Sequence, residues 1–139
     1  MEKFNWSSDY GVGVAEIDEQ HKYFFNIANE LIDLADRDET SKEELFTLLG
    51  KLGDYALYHL GTEEEYFDKF EYPDTAPHRA AHDNYRETIK RYLSDIRDEN
   101  ADVPGIAKKA ALYSSGWLAG HIIGMDQMYS TFFNEHGLN

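Results

Sequence analysis

Four stretches of this chain place apolar residues at helical spacing, and each interrupts its apolar stripe with at least one histidine. The first stripe runs Ile17, His21, Phe24, Phe25, Ala28, Leu31, Ile32 and Ala35, and the second Leu45, Leu48, Leu49, Leu52, Tyr55, Ala56, His59, Glu63 and Phe67. The third runs His78, His82, Tyr85, Ile89, Tyr92, Leu93 and Ile96, and the fourth Ile106, Ala110, Trp117, His121, Met125, Met128 and Phe132. A period near 3.6 marks amphipathic helices whose striped faces are stable only when buried against one another. Ser41 followed by Glu44 is a capping box, Pro73 and Pro77 interrupt the pattern, and Asn100 to Pro104 offers a cap with a first-turn proline. The spacing predicts helices at about 18–36, 41–69, 76–98 and 104–134, after an N-terminal arm of residues 1–17. Long helices on short loops give an all-α fold, an antiparallel up-down-up-down four-helix bundle. Residues 1–139 read as one domain, with no linker, repeat or low-complexity tract.

The interruptions matter more than the stripes. His21, His59, His78, His82 and His121 are five of the six histidines, and Glu63 and Asp126 share their buried faces, making seven candidate metal ligands. His59 with Glu63, and His78 with His82, stand four residues apart, so each pair directs two donors from one helix face. A lone histidine on such a face is ordinarily a core residue. Five together are not, and a carboxylate stranded dry costs several kcal/mol unless it is paired or metal-bound. Seven donors exceed the four that zinc takes, and imidazoles mixed with bridging carboxylates suit a pair of iron ions. A dinuclear site is therefore expected in the bundle core. One spacing resists. His121 and Asp126 lie five residues apart, ~140° around an ideal helix, so a π-like bulge or an off-axis reach is expected between Ile122 and Asp126. His136, in a polar tail, is expected to be exposed.

Acidic residues outnumber basic ones 27 to 13, and the formal charge of -14 repels phosphate backbones and anionic lipid, which argues against nucleic acid or membrane as partners. The absence of cysteine excludes disulfides, iron-sulfur clusters, haem-thiolate and Cys-based zinc sites. The N-terminus lacks an apolar signal core, and no apolar run approaches the ~20 residues that cross a bilayer, so a soluble, cytoplasmic chain is expected. Heavily charged polar faces favour a monomer.

In order along the chain stand Trp6-x3-Tyr10-x-Val12-Gly13-x3-Ile17-Asp18-x-Gln20-His21, His59-x3-Glu63-Glu64, His78-x3-His82 and Trp117-Leu118-x2-His121-Ile122-x3-Asp126. Each alone is weak, but the ordered set, covering nearly all of the chain, resembles the hemerythrin family and within it the single-domain bacteriohemerythrins. That resemblance implies two non-haem irons joined by an oxo or hydroxo bridge. It implies that His78, His82 and His121 complete the shell of one iron, that His21 and His59 hold the second beside a vacant position, and that Glu63 and Asp126 bridge both. The implied activity is reversible binding of dioxygen, held as hydroperoxide, for transport, storage or delivery to an oxygen-consuming enzyme. It is that of a binding protein, not an enzyme. Oxygen or redox sensing, and a diiron peroxidase or nitric-oxide-handling role, are the alternatives. Five imidazoles against two carboxylates leave such a cluster less anionic than carboxylate-rich oxidase sites, which favours return to the ferrous state. Those oxidases carry paired Glu-x2-His motifs, which this chain lacks.

A reversible site must exclude water. Matching family positions imply an oxygen pocket of Phe24, Leu60, Trp117, Leu118 and Ile122. Here the chain departs from the pattern, with Leu60 where phenylalanine is usual and Phe24 where leucine is usual. Tyr55, Tyr58 and Tyr66 lie near the second-stripe donors as candidate outer partners. Gly116, Gly120 and Gly124 each cost about 1 kcal/mol of helix propensity, for which close packing of a neighbouring helix is the expected compensation and a narrow gas path the alternative.

Overall fold

The computed structural model describes all 139 residues. Four long helices, α1 (Ala15–Ala35), α2 (Lys42–Phe70), α3 (Thr75–Asp95) and α4 (Val103–Gly124), are followed by a short α5 (Ser130–Glu135). Single 3-10 turns occupy Ser8–Tyr10 and Asp126–Tyr129. α1 packs against α2 and α4, and α3 packs against the same two, which closes the four into an all-α bundle with its core between them. No helix is long and apolar enough to cross a membrane.

Local chemistry sets the helix ends. The Ser41 hydroxyl accepts the Glu44 amide at 3.0 Å at the start of α2, and Asp102 accepts the Gly105 amide at 3.1 Å at the start of α4, where Pro104 occupies the first turn. α2 stops at Glu71, the one non-glycine residue with positive φ, at 53°. α1 begins three residues before its expected start at 18, with Glu16 and Asp18 both in its first turn, where carboxylates favour the positive helix end. Asp18 also accepts the Val12 amide at 2.9 Å and so fastens the arm to the helix.

The arm is docked along its length. Phe4 stacks on Phe25 with ring centroids 4.3 Å apart, and Tyr10 meets the same ring edge-on at 4.8 Å. The Gln127 side-chain amide donates to the Asp9 carbonyl at 2.6 Å, and that of Asn134 donates to the Gly13 carbonyl at 2.9 Å. Gly13, at φ +75°, lies so close to α5 that a Cβ there would stand 2.6 Å from the Ser130 hydroxyl.

Two expectations need correction. The fourth helix does not run unbroken over 104–134. It ends at Gly124, Met125 leaves helical geometry (φ -123°), and the chain tightens into the 3-10 turn before α5. Of the two expected ways to bring Asp126 in, the π-like bulge is absent and the off-axis reach is present, as a break and turn that swing Asp126 inward to full burial. The glycine explanation also fails. Gly116, Gly120 and Gly124 are exposed, and a Cβ on any of them would meet nothing within 4 Å, so no neighbouring helix packs there.

Candidate metal centre

All seven residues singled out by the pattern meet in the bundle core. α1 contributes His21, α2 His59 and Glu63, α3 His78 and His82, the last turn of α4 His121, and the following 3-10 turn Asp126. None is more than 6% exposed. Their donor atoms form two groups, each within a 4.8 Å span: Glu63, His78, His82, His121 and Asp126 in one, and His21, His59, Glu63 and Asp126 in the other. Glu63 and Asp126 belong to both. His136 lies outside, exposed at the end of α5.

The distances suit ions. His121 Nε2 stands 3.0 Å from His78 Nε2 and 3.2 Å from His82 Nε2, and Asp126 Oδ1 lies 2.9 Å from both His78 and His121 Nε2. Donors about 2.1 Å from one ion at right angles to each other stand about 3.0 Å apart, so these spacings match neighbouring corners of a coordination shell. Hydrogen bonding cannot account for the cluster. His21 Nδ1 and Nε2, His59 Nε2, Glu63 Oε1 and Asp126 Oδ2 are all buried without a hydrogen-bond partner. His21 Nε2 and Asp126 Oδ2 come within 3.1 Å, yet without hydrogen-bond alignment. Buried polar atoms left unpaired are costly, and unpaired atoms converging from three elements are what a bound cation relieves.

Charge distribution points the same way. Burial resists ionisation of Glu63 and Asp126 and each repels the other, yet the facing imidazoles hold both carboxyls below their ordinary range, Asp126 well below. His59 is pushed down to about 4 by burial. Burial also opposes charge on His82, but the Glu63 carboxylate 3.4 Å from its Nε2 and the Glu64 carboxylate 2.7 Å from its Nδ1 prevail and raise it to about 9. The core therefore keeps two anions ready for a cation.

A second layer orients the donors. His59 Nδ1 donates to Gln20 Oε1 at 2.7 Å, and Gln20 is itself held by donating to Tyr58 at 3.3 Å and by the Tyr55 hydroxyl on its carbonyl at 2.9 Å. His82 Nδ1 donates to Glu64 at 2.7 Å, and Arg86 pairs with the same carboxylate at 2.9 Å. With Nδ1 carrying the proton, Nε2 presents its lone pair to the centre. The Tyr129 hydroxyl donates to Glu63 Oε2 at 2.5 Å, and its ring stacks on His78. Of the three tyrosines expected near the second-helix donors, Tyr55 and Tyr58 support Gln20, whereas Tyr66 bonds Glu16 away from the centre. Sequence reasoning missed Tyr129, and it cited Gln20 and Glu64 as motif letters without giving them roles. The signal for these two was adjacency: each stands immediately beside a donor on its helix.

The expected pocket residues are distributed around the donors. Phe24 meets the His59 ring edge-on at 5.7 Å, beside the group with fewer donors. Leu60, Leu118 and Ile122 are buried. Trp117 is half-buried and lies flat on His121, 4.2 Å between centroids, on the side of the three-histidine group.

Known proteins share this arrangement of elements. A family model described as the hemerythrin HHE cation binding domain matches residues 12–132. A hemerythrin-like protein of Naegleria gruberi is 32% identical over 126 residues, 91% of this chain and 90% of its own. A bacteriohemerythrin of Methylococcus capsulatus is 29% identical over 134 residues, 93% of this chain and 95% of its own. The crystal structure of a wild-type hemerythrin superposes with a TM-score of 0.79 at 27% identity, covering 92% of this chain and 95% of the other. With a match over most of its length and a buried His/Glu/Asp cluster to go with it, the chain belongs to the hemerythrin family.

Proposed function

We propose that this protein binds dioxygen reversibly at a pair of non-haem irons, as a carrier, store or source of oxygen in the bacterial cytoplasm, and that it is a monomeric binding protein, not an enzyme. The observation that carries this reading is the unequal division of donors, five to one group and four to the other, with Glu63 and Asp126 common to both. His78, His82 and His121 would complete one iron's shell and His21 and His59 the other's, with an oxo or hydroxo bridge between. Such a ferrous pair supplies the two electrons that reversible capture of dioxygen needs.

The remaining work falls to the protein. Gln20 and Glu64 fix the imidazoles of His59 and His82 in the tautomer that presents Nε2. The phenol of Tyr129 holds its proton tightly, because burial and the neighbouring carboxylates raise it well above its ordinary range, so at neutral pH it is a donor to Glu63 Oε2. Phe24, Leu60, Leu118 and Ile122 are buried, and their side chains offer no group that transfers a proton. That dryness protects a reversible complex from losing its oxygen as peroxide. The test is an optical spectrum of iron-loaded, reduced protein before and after exposure to air, then after oxygen removal. Oxygen-dependent visible bands that vanish on removal, with two irons per chain, are expected. A stable ferric spectrum that does not revert would overturn reversible binding, and failure to take up iron would overturn the whole reading.

A further inference from the structure

One face of the donor cluster continues into a column of aromatic rings. Trp117 lies on His121 at 4.2 Å with an interplanar angle of 10°, and Tyr85 lies on Trp117 at 4.3 Å and 30°. Tyr113 is parallel to Tyr85 at 5.9 Å, and Tyr92 meets Tyr113 edge-on at 6.3 Å. The column follows the interface of α3 and α4, from a buried metal donor to a residue that reaches solvent. Aromatic pairs add packing energy wherever they form. Core packing alone, though, gives no reason for the rings to run unbroken from a metal donor to the surface.

Placement of protons sorts the rings into roles. An indole gives up an electron without having to release a proton in the same step, whereas a phenol that loses an electron must shed its proton. The Tyr85 hydroxyl is fully buried with only the Ser114 hydroxyl as partner, at 3.3 Å, and the Tyr113 hydroxyl is buried with none. Neither has a base to receive a proton, so both keep it and act as π bridges. Tyr92 is half-exposed and can release its proton to water. A rival stack exists on α2, where Tyr55 is parallel to His59. Its centroid distance is longer, 6.4 Å, and the Tyr55 hydroxyl faces a carbonyl that accepts no proton.

We propose that Trp117, bridged by Tyr85 and Tyr113 to Tyr92, is an electron path that protects the metal centre of this oxygen-binding protein, supplying electrons when hydrogen peroxide reaches the centre and being refilled at the surface by a thiol. The inference rests on the iron pair proposed above. For each peroxide, the O–O bond breaks with two electrons and two protons to give two waters. Each electron passes from Trp117 through His121, and Trp117 is refilled along the column from Tyr92, whose phenolic proton goes to water. A thiol returns one electron and one proton to Tyr92, and the two thiyl radicals formed per peroxide join as a disulfide. In sum, one peroxide and two thiols give two waters and one disulfide.

The experiment treats iron-loaded protein with hydrogen peroxide without thiol, traps it by freezing, and reads organic radicals by electron paramagnetic resonance and oxidised residues by peptide mass spectrometry. The iron-loaded wild type is expected to give a tyrosyl signal and oxidation at Tyr92. Y85F, which keeps the bridge ring, is expected to retain both. Y92F is expected to lose the tyrosyl signal and leave a tryptophan radical. W117F is expected to lose both signals while still binding two irons, with oxidation moving to the histidine donors. Radicals or oxidation unchanged in W117F, or centred on Tyr55 and Tyr23, would overturn the path. A wild type that binds iron and oxygen but forms no radical would overturn the path alone, whereas one that binds no iron would remove the functional reading together with it.

Discussion

Replacing Tyr129 by phenylalanine isolates one hydrogen bond at the centre. The Tyr129 ring is fully buried, stacked on His78 at 5.8 Å and packed on Phe133 at 4.7 Å, and phenylalanine retains both contacts. What disappears is the hydroxyl 2.5 Å from Glu63 Oε2. The other Glu63 oxygen has no hydrogen-bond partner, so the variant leaves a buried carboxylate without any. A hydrogen bond to a charged group contributes about 1.5–3 kcal/mol, so the metal-free variant is expected to lose about 2 kcal/mol, or roughly 8 °C in Tm at ~4 °C per kcal/mol. Tyr129 also orients a carboxylate common to both donor groups, and loss of such an outer partner weakens metal binding by about 10–100-fold. Urea unfolding followed by circular dichroism, with and without metal, reads the first effect. Competition against a chelator of known affinity reads the second. A stability change within about 0.5 kcal/mol of zero, the range of an ordinary surface substitution, together with unchanged metal affinity, would refute the role assigned to this phenol.

Other consequences can be measured independently. Q20L removes the acceptor 2.7 Å from His59 Nδ1 and is expected to weaken one of two metal-binding steps by about 10–100-fold, visible in a stoichiometric titration as loss of the second equivalent. His82, raised to about 9, carries a proton at neutral pH in the metal-free protein and must release it to become a ligand, so metal binding is expected to release at least about one proton per chain. Titration calorimetry in buffers of different ionisation enthalpy counts it, and a count of zero would contradict the assignment. The signs of two shifts place the stability optimum of the metal-free protein near about pH 6.5. The His82 contribution is complete below that pH and is lost as pH rises through about 9, whereas His59, pushed down to about 4 by burial, costs stability as pH falls from about 6.5 toward its folded value. Denaturant midpoints across this range without a maximum would show the reasoning wrong. E71G relieves the left-handed φ of 53° at the end of α2 and is expected to gain up to about 1 kcal/mol, and a loss in thermal unfolding would argue against strain there.

Helices and donors were legible because both rest on one periodicity. Six of the seven donors lie on 3.6-residue apolar stripes and stand out, since buried imidazoles and carboxylates demand partners; Asp126 lies off the fourth stripe, and the turn after Gly124 brings it in with the others. The break after Gly124 was not legible for the same reason. Met125, Met128 and Phe132 continue the fourth stripe in register, and what ends the helix is tertiary, the docking of the N-terminal arm through Gln127 and Asn134. Tyr129 was hidden among ten tyrosines, and only the inward turn of the chain singles it out. The Gly116, Gly120 and Gly124 series was misread because four-residue spacing suits close helix packing, while spacing alone does not say which way the face points.

The ties between the arm and the turn that bears Asp126 also govern when the centre can exist. The Gln127 amide and the Asp9 carbonyl it grips are 118 residues apart in sequence, and the Asn134 and Gly13 pair 121 apart. During synthesis His21, His59, Glu63, His78 and His82 all leave the ribosome before His121 and Asp126, so an emerging chain displays an incomplete donor set for most of its production. Closing so long a loop is slow to begin but modest in free energy, each doubling of length adding only about 0.6 kcal/mol. Completion of the donor set is thereby linked to the meeting of sequence-distant segments, and metal held by all seven donors would report that the whole bundle has finished folding.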